Sequence, residues 1–413
     1  MEQKHVTIIG AGIVGISIAL ELQNQGFKVR VLDRSGVASE ASAGNAGAFA
    51  FADIVPLATP GIMRKAPKWL FDPLGPLSVP PAYALKIAPW MLRFWRASWR
   101  DRYQTALSAQ SALNGFSRTA LERQIKHVDG EPLMQRDGQL QLYEGEQDFR
   151  ASLQSWDARR EFGIAFEHMK SPAEIAELQP GLDPRFTHAT FTPDWINTVD
   201  PRSWTEHLAK AFKMRGGQIE RVEVQALEQS GDGVNLMTPN GPLYAPQVIV
   251  AAGAWSHHLA RTLGDDIPLE TERGYNTTLP AGAFDLRMQL TFGGHGFVAS
   301  RINGGVRIGG AVELGGLKLP PNFKRADILL KKAAQFLPGL KTDNGTQWMG
   351  FRPSMPDSLP VIGASPRASK VIYAFGHGHL GLTQSAGTAE LVSALVRGET
   401  TGLSIAPFAP TRF

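Results

Sequence analysis

Residues 5–33 read HVTIIGAGIVGISIALELQNQGFKVRVLD. His5–Ile9 is apolar and β-branched, the pattern of a buried strand. Gly10, Gly12 and Gly15 form G-x-G-x-x-G, and apolar residues then recur at helical spacing from Ile13 to Gln25, with Gly26 placed to end the helix. Phe27–Leu32 reads as a second strand, closed by Asp33. In such a βαβ unit the glycine turn lets a pyrophosphate reach a helix N-terminus, and the terminal acid accepts ribose hydroxyls. The glycines alone say little. Strand, glycines, helix, strand and acid in that order predict a dinucleotide-binding α/β unit.

With 413 residues the chain exceeds one compact core and predicts two or three domains. Hydrophobic residues at 43% and charged residues at 19% exclude a disordered or membrane-spanning chain. The net charge of +4 gives no global signal for nucleic acid. With 0 cysteines, disulfides, thiolate metal sites, iron–sulfur clusters and a Cys nucleophile are all excluded, and no metal site is expected. No run of apolar residues reaches the length of a spanning helix, and no leader pattern precedes the first strand, so a cytoplasmic protein is expected.

The glycine motif does not choose between NAD and FAD. Two further runs do. Residues 39–47 read SEASAGNAG, small and amide residues that allow close backbone approach to a ligand. Residues 247–256 read QVIVAAGAWS, a buried strand that re-enters the sheet far downstream. A nicotinamide domain is usually contiguous, whereas a late return suits an extended FAD running into a two-domain interface. Near the C-terminus, residues 350–363 read GFRPSMPDSLPVIG and residues 371–383 read VIYAFGHGHLGLT. Arg352 lies among prolines and apolar residues, where a charge needs a partner. That partner is either a structural acid or a ligand carboxylate gripped in two places beside a flat cofactor.

Taken in order, the N-terminal fingerprint, SEASAGNAG, VAAGAWS, GFRP with PDSLPVIG, and GHGHLGLTQSAGTAELV resemble the D-amino acid oxidase superfamily of FAD-dependent amine oxidoreductases. The segment LETERGYNTTLP resembles the RGY segment of bacterial D-amino acid dehydrogenases, including those acting on D-hydroxyproline. The resemblance covers essentially the whole chain. It implies an α/β fold: a glutathione-reductase-type FAD-binding Rossmann domain with an interleaved α+β substrate domain on a large mixed sheet. The expected FAD-binding domain comprises residues 1–55, 195–262 and 345–413, and the substrate domain residues 56–194 and 263–344.

The resemblance also implies roles. Arg352 becomes the carboxylate-binding arginine. Gly10, Gly12, Ile13, Val14, Gly15, Asp33 and Arg34 take the adenosine and pyrophosphate end of FAD, with Val224, Ala251, Ala252, Gly253 and Trp255. Ala43, Gly44, Asn45, Ala46 and Gly47 run beneath the flavin, and Gly376, Gly378, His379, Leu380, Gly381, Leu382 and Thr383 line it from the other side. Relatives often add a tyrosine hydroxyl to the carboxylate grip, but here GGHGFVASR carries Phe297, leaving Tyr275 and His295 as candidates for that role. The implied reaction is hydride transfer from the Cα–H of a D-amino acid to flavin N5, with D-proline or cis-4-hydroxy-D-proline favoured and electrons passed to a quinone or other respiratory acceptor. A glycine- or sarcosine-type oxidase using O2, and a flavin subunit of a membrane assembly, are the alternatives.

The stretch 56–103 is rich in proline, tryptophan and basic residues, with Trp69, Trp90, Trp95 and Trp99 beside Arg64, Lys65, Lys68, Lys86, Arg93, Arg96, Arg100 and Arg102, and only Asp72 and Asp101 as acids. A helix is expected over 88–107, interleaving aromatic and basic residues as a peripheral contact with anionic lipid would. Further helices are expected at Pro201–Arg215 and Asp327–Phe336.

Overall fold

The computed structural model describes residues 4–65 and 77–413. Lys68, Trp69 and Asp72 of the basic, aromatic stretch therefore lie outside the described residues.

The N-terminal βαβ unit forms as its sequence predicts. His5–Ile9 pairs in parallel with Lys28–Asp33, and helix Ile13–Asn24 joins them. The late return, Val248–Val250, takes the other side of His5–Ile9 in parallel, followed by Val371–Phe375. Gln218–Arg221 and the antiparallel Val361–Ala364 complete a six-stranded sheet. Alternation along these strands splits the core between the two faces. Ile8, Ile249 and Ile372 face the helices Ile13–Asn24, Arg100–His127, Pro201–Met214 and Gly381–Arg397. Ile9, Val250 and Tyr373 face an antiparallel meander of Ala226–Ser230, Gly233–Thr238 and Gly241–Ala245. On Pro201–Met214, Trp204, Leu208 and Phe212 recur at spacings of four and are fully excluded from solvent. Burying each such side chain is worth roughly 1.5–3 kcal/mol.

The second sheet has nine strands. Along its path run Thr346–Ser354, Glu270–Leu279, Gly305–Glu313, Phe297–Ile302, Gln289–Phe292, Gln139–Glu144, Phe186–Thr192 and Glu167–Met169, with Leu77–Ser78 added beside Gly305–Glu313. It is mixed, since Gln289–Phe292 runs parallel to Gln139–Glu144. Helix Lys324–Phe336 covers one face through Leu329, Ala333 and Phe336.

Two expectations change. The GFRP segment is the end of edge strand Thr346–Ser354, which belongs to the nine-stranded sheet although the expected FAD-binding segment began at 345. Pro353 is tolerated because an edge strand needs partners on one side only. The helix expected over 88–107 is two helices, Ala84–Ala97 and Arg100–His127, broken where Trp99 adopts an extended backbone.

Candidate functional site

A cavity of about 940 Å³ lies between the two sheets and takes its lining from both. One end begins at the first turn of the parallel sheet. Gly10 has φ +113°, and a Cβ there would lie 2.3 Å from the Ala251 carbonyl oxygen; a Cβ on Gly15 would lie 2.0 Å from the Gly10 oxygen. Only glycine lets these three backbones approach so closely. The helix that follows starts at Gly12 with no side-chain cap of its own and no acid in its first turn. By contrast, the Asp200 carboxylate caps helix Pro201–Met214 by accepting from the Ser203 N–H at 3.1 Å. Ser42 Oγ, from the small-residue run, accepts from the Ile13 N–H at 3.0 Å, and the rest of this turn beside the cavity suits a phosphate group.

Asp33 lines this end, oriented by the backbone N–H groups of Ala11, Ser35 and Gly36, each donating to its carboxylate at 2.8 Å. The Arg34 guanidinium lies 3.7 Å over the Trp255 ring and 2.7 Å from Glu40. Ile13, Val14, Val224, Ala251, Ala252 and Gly253 complete the lining here, while Gly15 supports it from behind.

In the middle, the small-residue run is tied to the nine-stranded sheet. The Asn276 side-chain amide donates to the Gly44 carbonyl at 2.9 Å, and Arg307, held by Thr278 at 2.9 Å, donates to the carbonyls of Ala43 and Asn45. Trp348 packs against Gly44 so closely that a Cβ there would lie 2.2 Å from the indole. Gly44, Asn45 and Ala46 line the cavity, whereas Ala43 and Gly47 stand behind them. Sequence reasoning passed over Asn276 and Arg307, although a charge inside the apolar strand Gly305–Glu313 was itself a signal.

From the C-terminal side, Gly376, Gly378, His379, Gly381 and Leu382 reach the cavity. Leu380 instead packs with Ala50, Ala52 and Trp195, and the Thr383 hydroxyl accepts from the Ala50 N–H at 2.9 Å. These two hold the loop in place and do not line the cavity.

Arg352 enters the far end. Its strand pairs with Glu270–Leu279, with Arg352 opposite Glu272. The guanidinium leans over Gly274, where a Cβ would lie 2.4 Å from Nη2, and Nη1 donates to the Ala311 carbonyl at 3.1 Å. Ala311 has φ +55°, a conformation uncommon for a residue with a side chain. Burial pushes the Arg352 pKa down, and Glu272 offsets part of that. No carboxylate among the described residues lies within ion-pairing distance of Arg352.

Neither proposed helper bonds to it among the described residues. Tyr275 lines the cavity together with Glu272, Gly274 and Asn276, but its hydroxyl is already engaged. The Tyr275 hydroxyl donates to Glu313 at 2.6 Å and accepts from the Asn322 N–H at 3.0 Å, and its ring meets Phe323. His295 contacts Glu144 at 3.0 Å and the Phe336 ring at 4.6 Å, outside the cavity lining. Phe297, Gln139 and Gln141 are the neighbours that do line this end.

Sequence reasoning also passed over an ionic pair beside Arg352. His379 Nε2 meets Asp53 at 2.9 Å, with Arg159 3.8 Å from the same carboxylate. Burial pushes the Asp53 carboxyl up, but His379 and Arg159 hold it below the usual range. Burial pushes His379 down, yet Asp53 and then Glu272 bring it above its ordinary value against Arg352. By contrast, burial takes His377 down to about 3; its ring bonds Thr388 at 3.0 Å.

Known proteins place this architecture. The family model of the FAD-dependent oxidoreductases matches residues 5–395. A D-amino-acid oxidase of Bradyrhizobium diazoefficiens is 35% identical over 100% of this chain and 99% of its own length. A D-amino acid dehydrogenase of Rhizobium rhizogenes is 30% identical over 99% of both. Among solved structures, glycine oxidase from Geobacillus kaustophilus superposes with a TM-score of 0.78 at 20% identity, covering 100% of both chains. L-Proline dehydrogenase from P. horikoshii superposes at 0.75 and 19%, covering 100% of this chain and 98% of its own. The glycine cradle, the helix start with no acid in its first turn and the oriented Asp33 fit the dinucleotide that this fold holds. The chain belongs to the DAO family of FAD-dependent oxidoreductases, with FAD as its cofactor.

Proposed function

We propose that this protein oxidises a D-amino acid, with the six-stranded sheet as the FAD lobe and the nine-stranded sheet as the substrate lobe. The observation that carries the reading is Arg352. A guanidinium faces the cavity with no carboxylate of the described residues on it, and a substrate carboxylate completes it with two charge-assisted bonds. The names of two relatives, each given for D-amino acids, support the D-configuration. D-Proline and cis-4-hydroxy-D-proline remain the favoured substrates, on the resemblance of the RGY segment.

When bound, FAD supplies the two-electron acceptor for the hydride on Cα. The protein's share is orientation. Arg352 fixes the carboxylate, Gly274 leaves room for the guanidinium, and Phe297 with the other apolar lining excludes water. The pose that Arg352 imposes presents one Cα face to the cofactor, and no step requires a tyrosine hydroxyl.

We place electron delivery at a membrane quinone. Helix Ala84–Ala97 supports this, because its outward face carries Leu85 at 92% exposure and Leu92 at 62%, continued by Trp95 at 46% and Trp99 at 48%. Lys86, Arg93 and Arg100 are exposed along the same stretch. Apolar side chains beside basic ones suit an anionic lipid surface. Trp90 takes no part, since it is buried and stacked on Phe94 at 5.3 Å. No helix among the described residues is long and apolar enough to cross a membrane. O2 is the second reading of the acceptor, favoured by the oxidase name of the Bradyrhizobium relative.

The test is anaerobic bleaching of the holoenzyme by a panel of D- and L-amino acids that includes D-proline and cis-4-hydroxy-D-proline. Bleaching by D-amino acids is expected, followed by reoxidation by a soluble quinone faster than by air, with little peroxide. Peroxide formation matching turnover moves the acceptor to O2. No bleaching by any amino acid overturns the proposal.

A further inference from the structure

Glu272 is an acid with no hydrogen-bonded or ion-paired partner among the described residues. It is 5% exposed and lines the cavity. The other charged side chains of its strand are engaged. Arg273 donates to the carbonyls of Gly316, Leu319 and Pro320, and Glu270 accepts from the Tyr83 hydroxyl at 2.9 Å. A carboxylate this little exposed and without a hydrogen bond is costly, and Arg352 on the facing strand relieves it only in part, by charge without contact. Arg352 stands directly opposite in register, but its guanidinium leans over Gly274 and bonds Ala311 instead of closing on Glu272. His379, on the facing loop, is engaged by Asp53 at 2.9 Å.

The strand pair therefore presents one cationic and one anionic head to the same cavity, side by side and unjoined. Directly opposed residues hold their Cβ atoms about 4.5–5.5 Å apart. An α-amino acid carries its carboxylate carbon and its nitrogen about 2.5 Å apart across Cα, so both heads of one zwitterion fit between such neighbours. A cationic side-chain terminus several bonds further out does not.

Building on the amino-acid reading above, we propose that Glu272 receives the substrate's protonated amino group while Arg352 holds its carboxylate. The pair is a clamp for the α-amino acid zwitterion. It gives the site its discrimination against carboxylic acids of the same shape that lack nitrogen, for which the buried carboxylate stays unpaired. It also fixes a second point of the substrate, so that the rotation of Cα about the Arg352 contact is set by the protein.

Two ligands that carry no Cα–H bond to oxidise, or no nitrogen, test this without turnover. 2-Aminoisobutyrate has the carboxylate and the ammonium on a quaternary carbon; isobutyrate has the carboxylate alone. Each is titrated into oxidised holoenzyme and read by the perturbation of the flavin spectrum. Wild type is expected to bind the amino ligand more tightly. E272Q is expected to weaken 2-aminoisobutyrate about tenfold or more, the scale of a lost charge-assisted contact, while isobutyrate binding holds or tightens. Equal weakening of both ligands overturns the proposal and makes Glu272 only a counterion for Arg352. If E272Q does not retain FAD, E272D is read by the same ratio. Its carboxylate is withdrawn by one methylene, so a selective partial loss for the amino ligand is expected, and an unchanged ratio overturns the proposal. Wild-type bleaching by amino acids, run alongside, separates the two failures. Bleaching with an unselective E272Q loses only this inference, whereas absent bleaching removes the amino-acid reading itself.

Discussion

Replacing Arg352 by alanine should cost most of the enzyme's substrate recognition while leaving its cofactor in place. The side chain reaches the cavity from the edge strand Thr346–Ser354 of the nine-stranded sheet. The Gly10–Gly15 turn belongs to the six-stranded sheet and makes no hydrogen bond with it among the described residues, so the dinucleotide cradle is expected to form without it. Its single protein hydrogen bond among the described residues goes to the Ala311 carbonyl at 3.1 Å, which leaves the remaining guanidinium donors for a ligand. Two charge-assisted bonds to a carboxylate, at roughly 1.5–3 kcal/mol each, set an upper range. About 3 kcal/mol is the expected net loss, since water partly replaces the lost donors; at 1.36 kcal/mol per decade this is about 150-fold in kcat/KM. The expected R352K phenotype is intermediate, because an ammonium offers a point charge without the fork. The assay pairs steady-state kinetics against an artificial quinone with the flavin-to-protein absorbance ratio. A kcat/KM within about fivefold of wild type at full FAD occupancy would refute the carboxylate role.

Further predictions concern the supports of the site. G10A and G15A place a Cβ at 2.3 Å and 2.0 Å from a carbonyl oxygen, so both should purify with little FAD or fail to accumulate, read by the flavin absorbance ratio. G274A sets a Cβ 2.4 Å from Arg352 Nη2 and pushes the guanidinium aside; kcat/KM should fall about tenfold or more with FAD retained, by the cost of displacing an orienting group. For the Asp53–His379 pair, the folded His379 value lies above its ordinary 6.5 and that of Asp53 below its ordinary 3.8. The histidine contribution is complete below 6.5 and fades as pH rises through the raised value, and the aspartate contribution is complete above 3.8 and fades as pH falls through the lowered one. The Tm difference between wild type and D53N should therefore peak between those two ordinary values and narrow above the raised His379 value. A difference that fails to narrow as pH rises through and beyond the raised His379 value would show that the bond carries no such linkage. Arg159, Glu272 and Arg352 are the other charges around this pair.

Local signals carried far along this chain. Branched residues, glycines at fixed offsets and a closing acid specify strand, turn, helix and strand because each depends on neighbours within a few positions, and residues 5–33 fold as they read. The late strand Val248–Val250 was legible for the same reason, as an unbroken apolar run that must be buried. The cofactor end of the site was thus written in the sequence. What pairs with what across long separations was not. Whether GFRP is loop or edge strand depends on Glu270–Leu279 lying beside it, and that register alone puts Arg352 opposite Glu272. Tyr275 and His295 had suitable chemistry, but Tyr275, although it lines the cavity, has its hydroxyl bonded to Glu313, and the loop packs the His295 ring on Phe336. Asp53, His379, Arg307 and Asn276 meet the cavity from segments distant in the chain, so no spacing pattern links them. The sequence by itself determined the cofactor and the chemistry available, because those depend on residue types and short-range geometry. The tertiary structure decided which charges face one another at the cavity, because that depends on strand register and on how segments distant in the chain pack.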